Sequence, residues 1–425
     1  MPTATTATHV SDTHYPTGEN SIFAIGSALY ATRYNDATTG HVYMEKSTDG
    51  GLTWTELDSG NRPNDGEVTL AIQGIRSGSD IVVFYKRVTP FSGGGARTSS
   101  ICFCTFSTTT DTWGTPETSG PSYTGTNTQI RTINAGEFAT IIGAGDYLVC
   151  YSRPTVDSGA GEPEMNYCRY SGGAWGAEVN INAAVLFPLL ATNPQVYRDP
   201  ASGVFHFYWG EGRSTVKTWY HRGMSAAFSL DSLQTLLTIG PLTGHGSAAP
   251  IIGGGVKYGA NLYLPYINFY DATNGNKGRP AVFSGDASLT SPSWTLTVVG
   301  TDEVFFVNTN ASVLVINGVT GNLVLAWSPF TSTGFVEWQI VYREFNGSSW
   351  DASTSQWYDL NTIDPPPSNP GGVAQDLADL TLLSISGDIA GFTVSARVGF
   401  DALSTAEYAT YFWAYSLCCC SDFAY

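Results

Sequence analysis

Apolar side chains recur along this chain in short runs of four or five, each ending in an aromatic or small residue and flanked by turn formers. The runs occupy 28–31, 81–85, 147–151, 204–208, 262–266, 323–327 and, more weakly, 391–395. Runs this short, bounded by Gly, Ser, Asp and Asn, predict strands rather than helices. Their last residues (Ala31, Tyr85, Tyr151, Tyr208, Tyr266, Trp327 and Ser395) form a column spaced by 54 to 68 positions. Another apolar stretch precedes each run, as at 138–142 and 312–316, and a third strand such as 339–344 follows a polar loop. A turn closed by Trp then recurs at 110–113, 172–175, 291–294 and 347–350.

A four-stranded repeat of about 60 residues is long for a solenoid and fits a propeller blade. The expectation is an all-β fold in which residues 1–425 form a single β-propeller of four-stranded blades. Seven blades is the primary count; six blades with a C-terminal appendage is the alternative, because Asp364-Pro365-Pro366-Pro367-Ser368 reads as a linker. The seventh unit, about 375–417, runs out before its outer strand, which would leave an open edge. The β-prone start at residues 3–10 could supply that strand and close the ring.

Composition narrows the partners. Charged residues make up 13% of the chain and the net charge is −17, whereas phosphate binding needs clustered Lys and Arg, so nucleic acid is not an expected partner. No run is long and apolar enough to suggest membrane insertion. The first six residues have neither a basic start nor an apolar stretch, so export by a signal peptide is not expected. The triplets at 310–312 and 346–348 match the glycosylation sequon and also suit turns. Six histidines, among them His206, His221 and His245, lack metal-ligand spacing, so no metal and no cofactor is expected. Of seven cysteines, Cys102 and Cys104 share a strand face, as buried thiols or as a metal or redox pair, and Cys418, Cys419 and Cys420 form an unassigned run.

The most specific local signal is Ser47-Thr48-Asp49-Gly50-Gly51-Leu52-Thr53-Trp54, which fits S-x-D-x-G-x-T-W. An Asp carboxylate can accept N–H bonds across such a turn, Ser and Thr hydroxyls bond locally, and Gly allows φ > 0. Ser47, Asp49, Gly51, Thr53 and Trp54 are therefore structural. With the preceding Leu29 to Asp36 and Tyr43 to Ser47, this stretch resembles the first blade of the sialidase-like, Asp-box (BNR) propeller superfamily. The resemblance is sharp over 28–54 and a matter of pattern elsewhere. It implies an acid/base role for Asp36 if the chain is an exo-sialidase-type glycoside hydrolase. The family's F/Y-R-I-P signature is absent, since residues 19–24 contain no Arg.

Two positions beyond the column stand Arg33, Arg87, Arg153 and Arg397, and Arg131 precedes the third unit's first strand. On consecutive blades these would crowd one sector of the loop-bearing rim, with Tyr34 available to stack on a sugar. Guanidinium groups suit bidentate capture of carboxylate or sulfate. The competing reading pairs each Arg with a local carboxylate such as Asp36 or Asp157. Low Lys content with abundant Thr, Ser and Gly resembles propeller domains of bacteriophage virions. The leading expectation is a non-catalytic virion surface protein (spike, fibre or decoration) that is made in the host cytoplasm and binds acidic or sulfated glycans beside other virion subunits. A sialidase-type hydrolase or a polysaccharide lyase, and a purely structural module, are the alternatives.

Overall fold

The computed structural model describes residues 8–13, 22–35, 41–49, 53–63, 68–89, 97–125, 138–154, 163–182, 194–213, 216–239, 254–269, 277–300, 304–305, 312–317, 320–327, 339–359, 376–387, 392–402 and 405–415. Among them the fold is all-β, with a single short 3-10 turn at Ser59–Asn61. No described helix is long and apolar enough to cross a membrane.

The strands fall into successive antiparallel sets, almost all in sequence order. Set 1 is Ile22–Ile25, Ala28–Asn35, His41–Ser47 and Thr55–Leu57. Set 2 is Val68–Ser77, Asp80–Thr89 and Arg97–Ser107, with Thr112–Trp113 and Ser122–Gly125 both on its outer side. Set 3 is Ala139–Gly143, Asp146–Pro154 and Pro163–Ser171, edged by Ala174–Trp175 and Val179–Asn180. Set 4 is Gln195–Arg198, Phe205–Arg213, Val216–Met224 and Leu230–Ile239. Set 5 is Val256–Tyr258, Asn261–Phe269 and Lys277–Asp286, edged by Thr295–Val298 and Val304–Phe305. Set 6 is Ser312–Ile316, Leu323–Trp327, Gln339–Phe345 and Ser355–Asp359. Set 7 is Asp376–Gly387, Phe392–Ala402 and Thr405–Tyr415.

Thr8–Thr13 lies antiparallel on Thr405–Tyr415, pairing Thr8 with Phe412 and Thr13 with Tyr408. The first strand of set 1 pairs in parallel with the first strand of set 7, Ile22 with Ile385 and Ala24 with Gly387. Sets 7 and 1 are thereby one eight-stranded sheet.

Every residue of the column lies on the second strand of its set. These strands read as continuous apolar runs because a neighbour covers each face. Ile81, Val83 and Tyr85 pack with Phe23, Tyr30 and Met44 of set 1. From the same strand, Val82 and Phe84 face the other way, joining Phe138, Tyr147 and Leu148 of set 3. A single-faced sheet would instead alternate apolar with polar. Tyr208 and Trp219 of set 4 pack on Leu262 and Leu264 of set 5, and Tyr263 of set 5 on Leu314 and Leu325 of set 6. The turn from first to second strand uses a left-handed Gly at Gly26, Gly78, Gly145, Gly203, Gly259 and Gly321. Such φ values favour a residue without Cβ, so the six sets reverse by the same device.

Candidate functional site

Antiparallel order puts the second-to-third connections at one end of the sets and the third-to-fourth turns at the other. The Asp-box occupies a third-to-fourth turn. Asp49 Oδ1 accepts from Ser47 Oγ at 2.7 Å and from the Thr53 backbone N–H at 2.9 Å, while Oδ2 accepts from Thr53 Oγ1 at 2.6 Å. Gly51 lies outside the described residues, and Trp54 is half-buried. Of the other four turn tryptophans, three lie against an aromatic of their own set, Trp113 on Phe106, Trp175 on Tyr170 and Trp350 on Phe345, while Trp294 lies against His206 and His221 of set 4.

At the opposite end, four of the candidate arginines occupy corresponding register positions. Arg33 stands opposite Tyr43, Arg87 opposite Ser100, Arg153 opposite Glu164 and Arg397 opposite Thr410. Sets 4 and 5 carry Gly210 and Asn268 at the same offset. Tyr34 lies beside Arg33 on its strand, opposite Val42. Arg33, Tyr34 and Arg397 are placed by their backbones; Asp36, Arg131 and Asp157 lie outside the described residues.

Arg153 is the best-defined member. Its Nη2 lies 3.4 Å from Glu164 Oε2 and 3.2 Å from Glu178 Oε2. Two carboxylates on one guanidinium leave the cluster net negative, so Arg153 fixes the hairpin and supplies little attraction for an anion. Glu178 also acts on Tyr151, whose phenol is pushed far above its ordinary value by burial first and by the Glu178 charge second. Burial and Glu178 thus both favour the neutral phenol of Tyr151. Arg87 is half-buried beside Cys102; burial raises that thiol, while Ser100 and Arg87 counter the shift. Cys104 is pushed up to about 12 by burial, and Cys102, Cys104, Cys150 and Cys168 are all free and buried. Thiols so placed are unreactive. Among the described residues no cluster of His, Cys, Asp and Glu is arranged to hold a metal ion.

Glu164 and Glu178 were not legible as site residues from the runs. The signal that could have found them is hairpin symmetry, since Arg153 and Glu164 lie just inside Pro154 and Pro163, which face one another. Among the described side chains at this end, Arg87 and Arg153 carry guanidinium donors and Glu164 and Glu178 carboxylate acceptors, groups able to bond hydroxyls.

No family model matches the chain, and no curated protein matches it. Its fold is similar to several solved structures at low identity. The polysaccharide lyase Uly1 aligns with a TM-score of 0.47 and 11% identity, covering 95% of this chain and 91% of that one. The phage phi92 endosialidase aligns at 0.45 and 11%, covering 99% and 70%. The Trypanosoma rangeli sialidase in complex with the inhibitor DANA aligns at 0.40 and 8%, covering 95% of this chain but 55% of that one. This chain therefore spans about half the length of that sialidase. Likenesses of this size transfer no residue role.

Proposed function

We propose that the sets are seven blades of one closed β-propeller spanning residues 1–425, and that its loop-bearing rim binds an acidic glycan without turning it over. Closure is supported by the parallel pairing of Ile22–Ile25 with Asp376–Gly387, which makes the last set a neighbour of the first. It is supported further by Thr8–Thr13, which covers the edge that Thr405–Tyr415 would otherwise leave open. The observation that carries the binding reading is the repeated placement of Arg397, Arg33, Arg87 and Arg153 on consecutive sets, two positions beyond the column. Arg153 is already held by Glu164 and Glu178, and Arg131 and Tyr34 complete the proposed rim. Placement on a virion, beside other virion subunits and after synthesis in the host cytoplasm, rests on composition alone: 19 Lys and Arg together among 425 residues, with abundant small polar residues.

Glycan-array binding of the full chain tests this. Carboxylated or sulfated oligosaccharides are expected to bind, roughly tenfold more weakly in Arg87→Ala, as for loss of one charge-assisted contact, and less weakened in Arg153→Ala. No fluorescent leaving group should be released from a sialoside. Silence towards every acidic glycan overturns the reading, and turnover abolished by Asp36→Asn replaces it with a hydrolase.

A further inference from the structure

His206 and His221 lie at the turn end of the contact between sets 4 and 5, far in function from the arginine rim, and both are completely buried. His206 Nδ1 is 3.0 Å from His221 Nε2. The outer nitrogens face oxygens: His206 Nε2 is 3.0 Å from Ala287 O of set 5, and His221 Nδ1 is 2.8 Å from Gln234 Oε1. Gln234 is not free to present its amide nitrogen instead, because that nitrogen donates to Pro292 O at 3.2 Å. The four groups therefore form one line from Ala287 O to Gln234 Oε1, with three gaps each at hydrogen-bond distance.

Counting protons along the line shows a mismatch. Both terminal oxygens can only accept, so each needs a proton on the ring nitrogen facing it. Two neutral imidazoles carry two ring protons in total, one each. Those two satisfy the ends and leave two lone pairs facing one another across the central gap. A third proton completes all three bonds. Two further protons would place imidazolium beside imidazolium and are excluded by repulsion.

We propose that His206 and His221 form a single-proton site, in which one added proton is shared between the facing nitrogens and completes the line that ends on set 5 at Ala287 O. Burial opposes uptake: it lowers His206, and together with the His206 charge it lowers His221 to about 3. Three carboxylates favour it, Asp199 and Asp286 acting on His206 and Asp231 acting on His221. Lys257 on Asp199 and Arg222 near Asp231 weaken that help without removing it. The remaining neighbours are aromatic. Tyr197 lies 6.3 Å from His206, and Trp294 lies edge-to-face on His221 at 4.9 Å.

Nitrogen-15 histidine labelling of the full chain, read by NMR from pH 8 downward, tests the site. The expected result is one titration shared by both rings, with a bridging proton protected from exchange, lost in His221→Gln. Gln234→Glu keeps an acceptor for His221 Nδ1 and adds a charge beside it, at the cost of the donor to Pro292 O, so proton binding by the pair should tighten about tenfold. That variant stands even if His221→Gln fails to fold. Two rings that keep separate neutral tautomers until the protein unfolds, or a Gln234→Glu midpoint equal to wild type, would overturn the proposal.

Discussion

Lys257→Met is expected to destabilise the protein through one carboxylate on the neighbouring set. Asp199 is buried in the turn before Phe205–Arg213, and its Oδ1 lies 2.6 Å from Lys257 Nζ. Ser202 donates to Oδ2 through its hydroxyl at 2.6 Å and its backbone N–H at 3.0 Å. Burial alone would raise this carboxyl, but Lys257 and the Ser202 donors outweigh it and hold it at about 2 against an ordinary 3.8. A depressed carboxyl contributes fully above the unfolded value and loses its contribution as pH falls from 3.8 through 2. At about 1.4 kcal/mol per unit, the stake is about 2 kcal/mol at neutral pH. Lys257 is partly exposed, which keeps the figure below the range for a fully buried pair.

Urea unfolding followed by tryptophan fluorescence reads this directly, since Trp209 and Trp219 are buried in set 4. At pH 7 Lys257→Met should lose about 2 kcal/mol, or about 2 °C in melting temperature if the chain unfolds in one step. Its acid transition should move to higher pH. Asp199→Asn keeps the shape and frees a lysine that water reaches, so it should lose less, about 1 kcal/mol. Stability and acid midpoint unchanged in Lys257→Met would refute the reasoning, because Ser202 and the backbone would then hold Asp199 unaided.

Gly223→Ala should be among the most damaging small changes, because an added Cβ would lie 1.8 Å from Thr290 O, a backbone atom of set 5. Displacing that backbone also disturbs the Thr290 and Ser291 hydroxyls on Asp231, so a loss above about 2 kcal/mol, seen as a lower melting temperature or aggregation, is expected. Asp49→Ala removes the acceptor of three turn bonds at an exposed site and should cost about 1–2 kcal/mol with the fold retained by circular dichroism. Glu178→Gln removes one of the two carboxylates on Arg153 at a partly exposed site and should cost less than about 1 kcal/mol, read by urea unfolding.

The second strands were legible because burial on both faces removes polar residues from them, so 81–85 and 323–327 stand out without any alternation. The turns before tryptophan were legible for a related reason: Trp113, Trp175 and Trp350 each cover an aromatic ring of the same set. The outer strands of sets 2 and 3 left almost no trace. Thr112–Trp113 and Ala174–Trp175 are two residues long, too short for any period to show. The pairing of His206 with His221 is written in hairpin register, since His221 faces Tyr208 and so lies diagonal to His206 on one face. Lys257 meets Asp199 across one repeat, and a contact between repeats cannot be read from either alone.

The same contrast separates the two ends of the molecule. Towards the turns, sets 4 and 5 meet through Asp199 and Lys257, His206 and Ala287, Gln234 and Pro292, and Asp231 with Thr290 and Ser291. Behind that polar edge, Tyr208, Trp219, Leu262 and Leu264 make a contact that pH does not touch. Sets 2 and 3 meet through aromatic and aliphatic side chains around Phe84, Phe103 and Tyr147, while sets 1 and 2 add a polar contact at the turn end, Lys46 and Tyr30 on Asp111. Acid reaches the contact between sets 4 and 5 late, because its donors hold Asp199 and Asp231 both at about 2. That polar contact and the arginine rim sit on opposite ends of their strands, and Arg33, Arg87 and Arg153 belong to other sets, so Lys257→Met should cost stability at neutral pH without weakening binding at the rim.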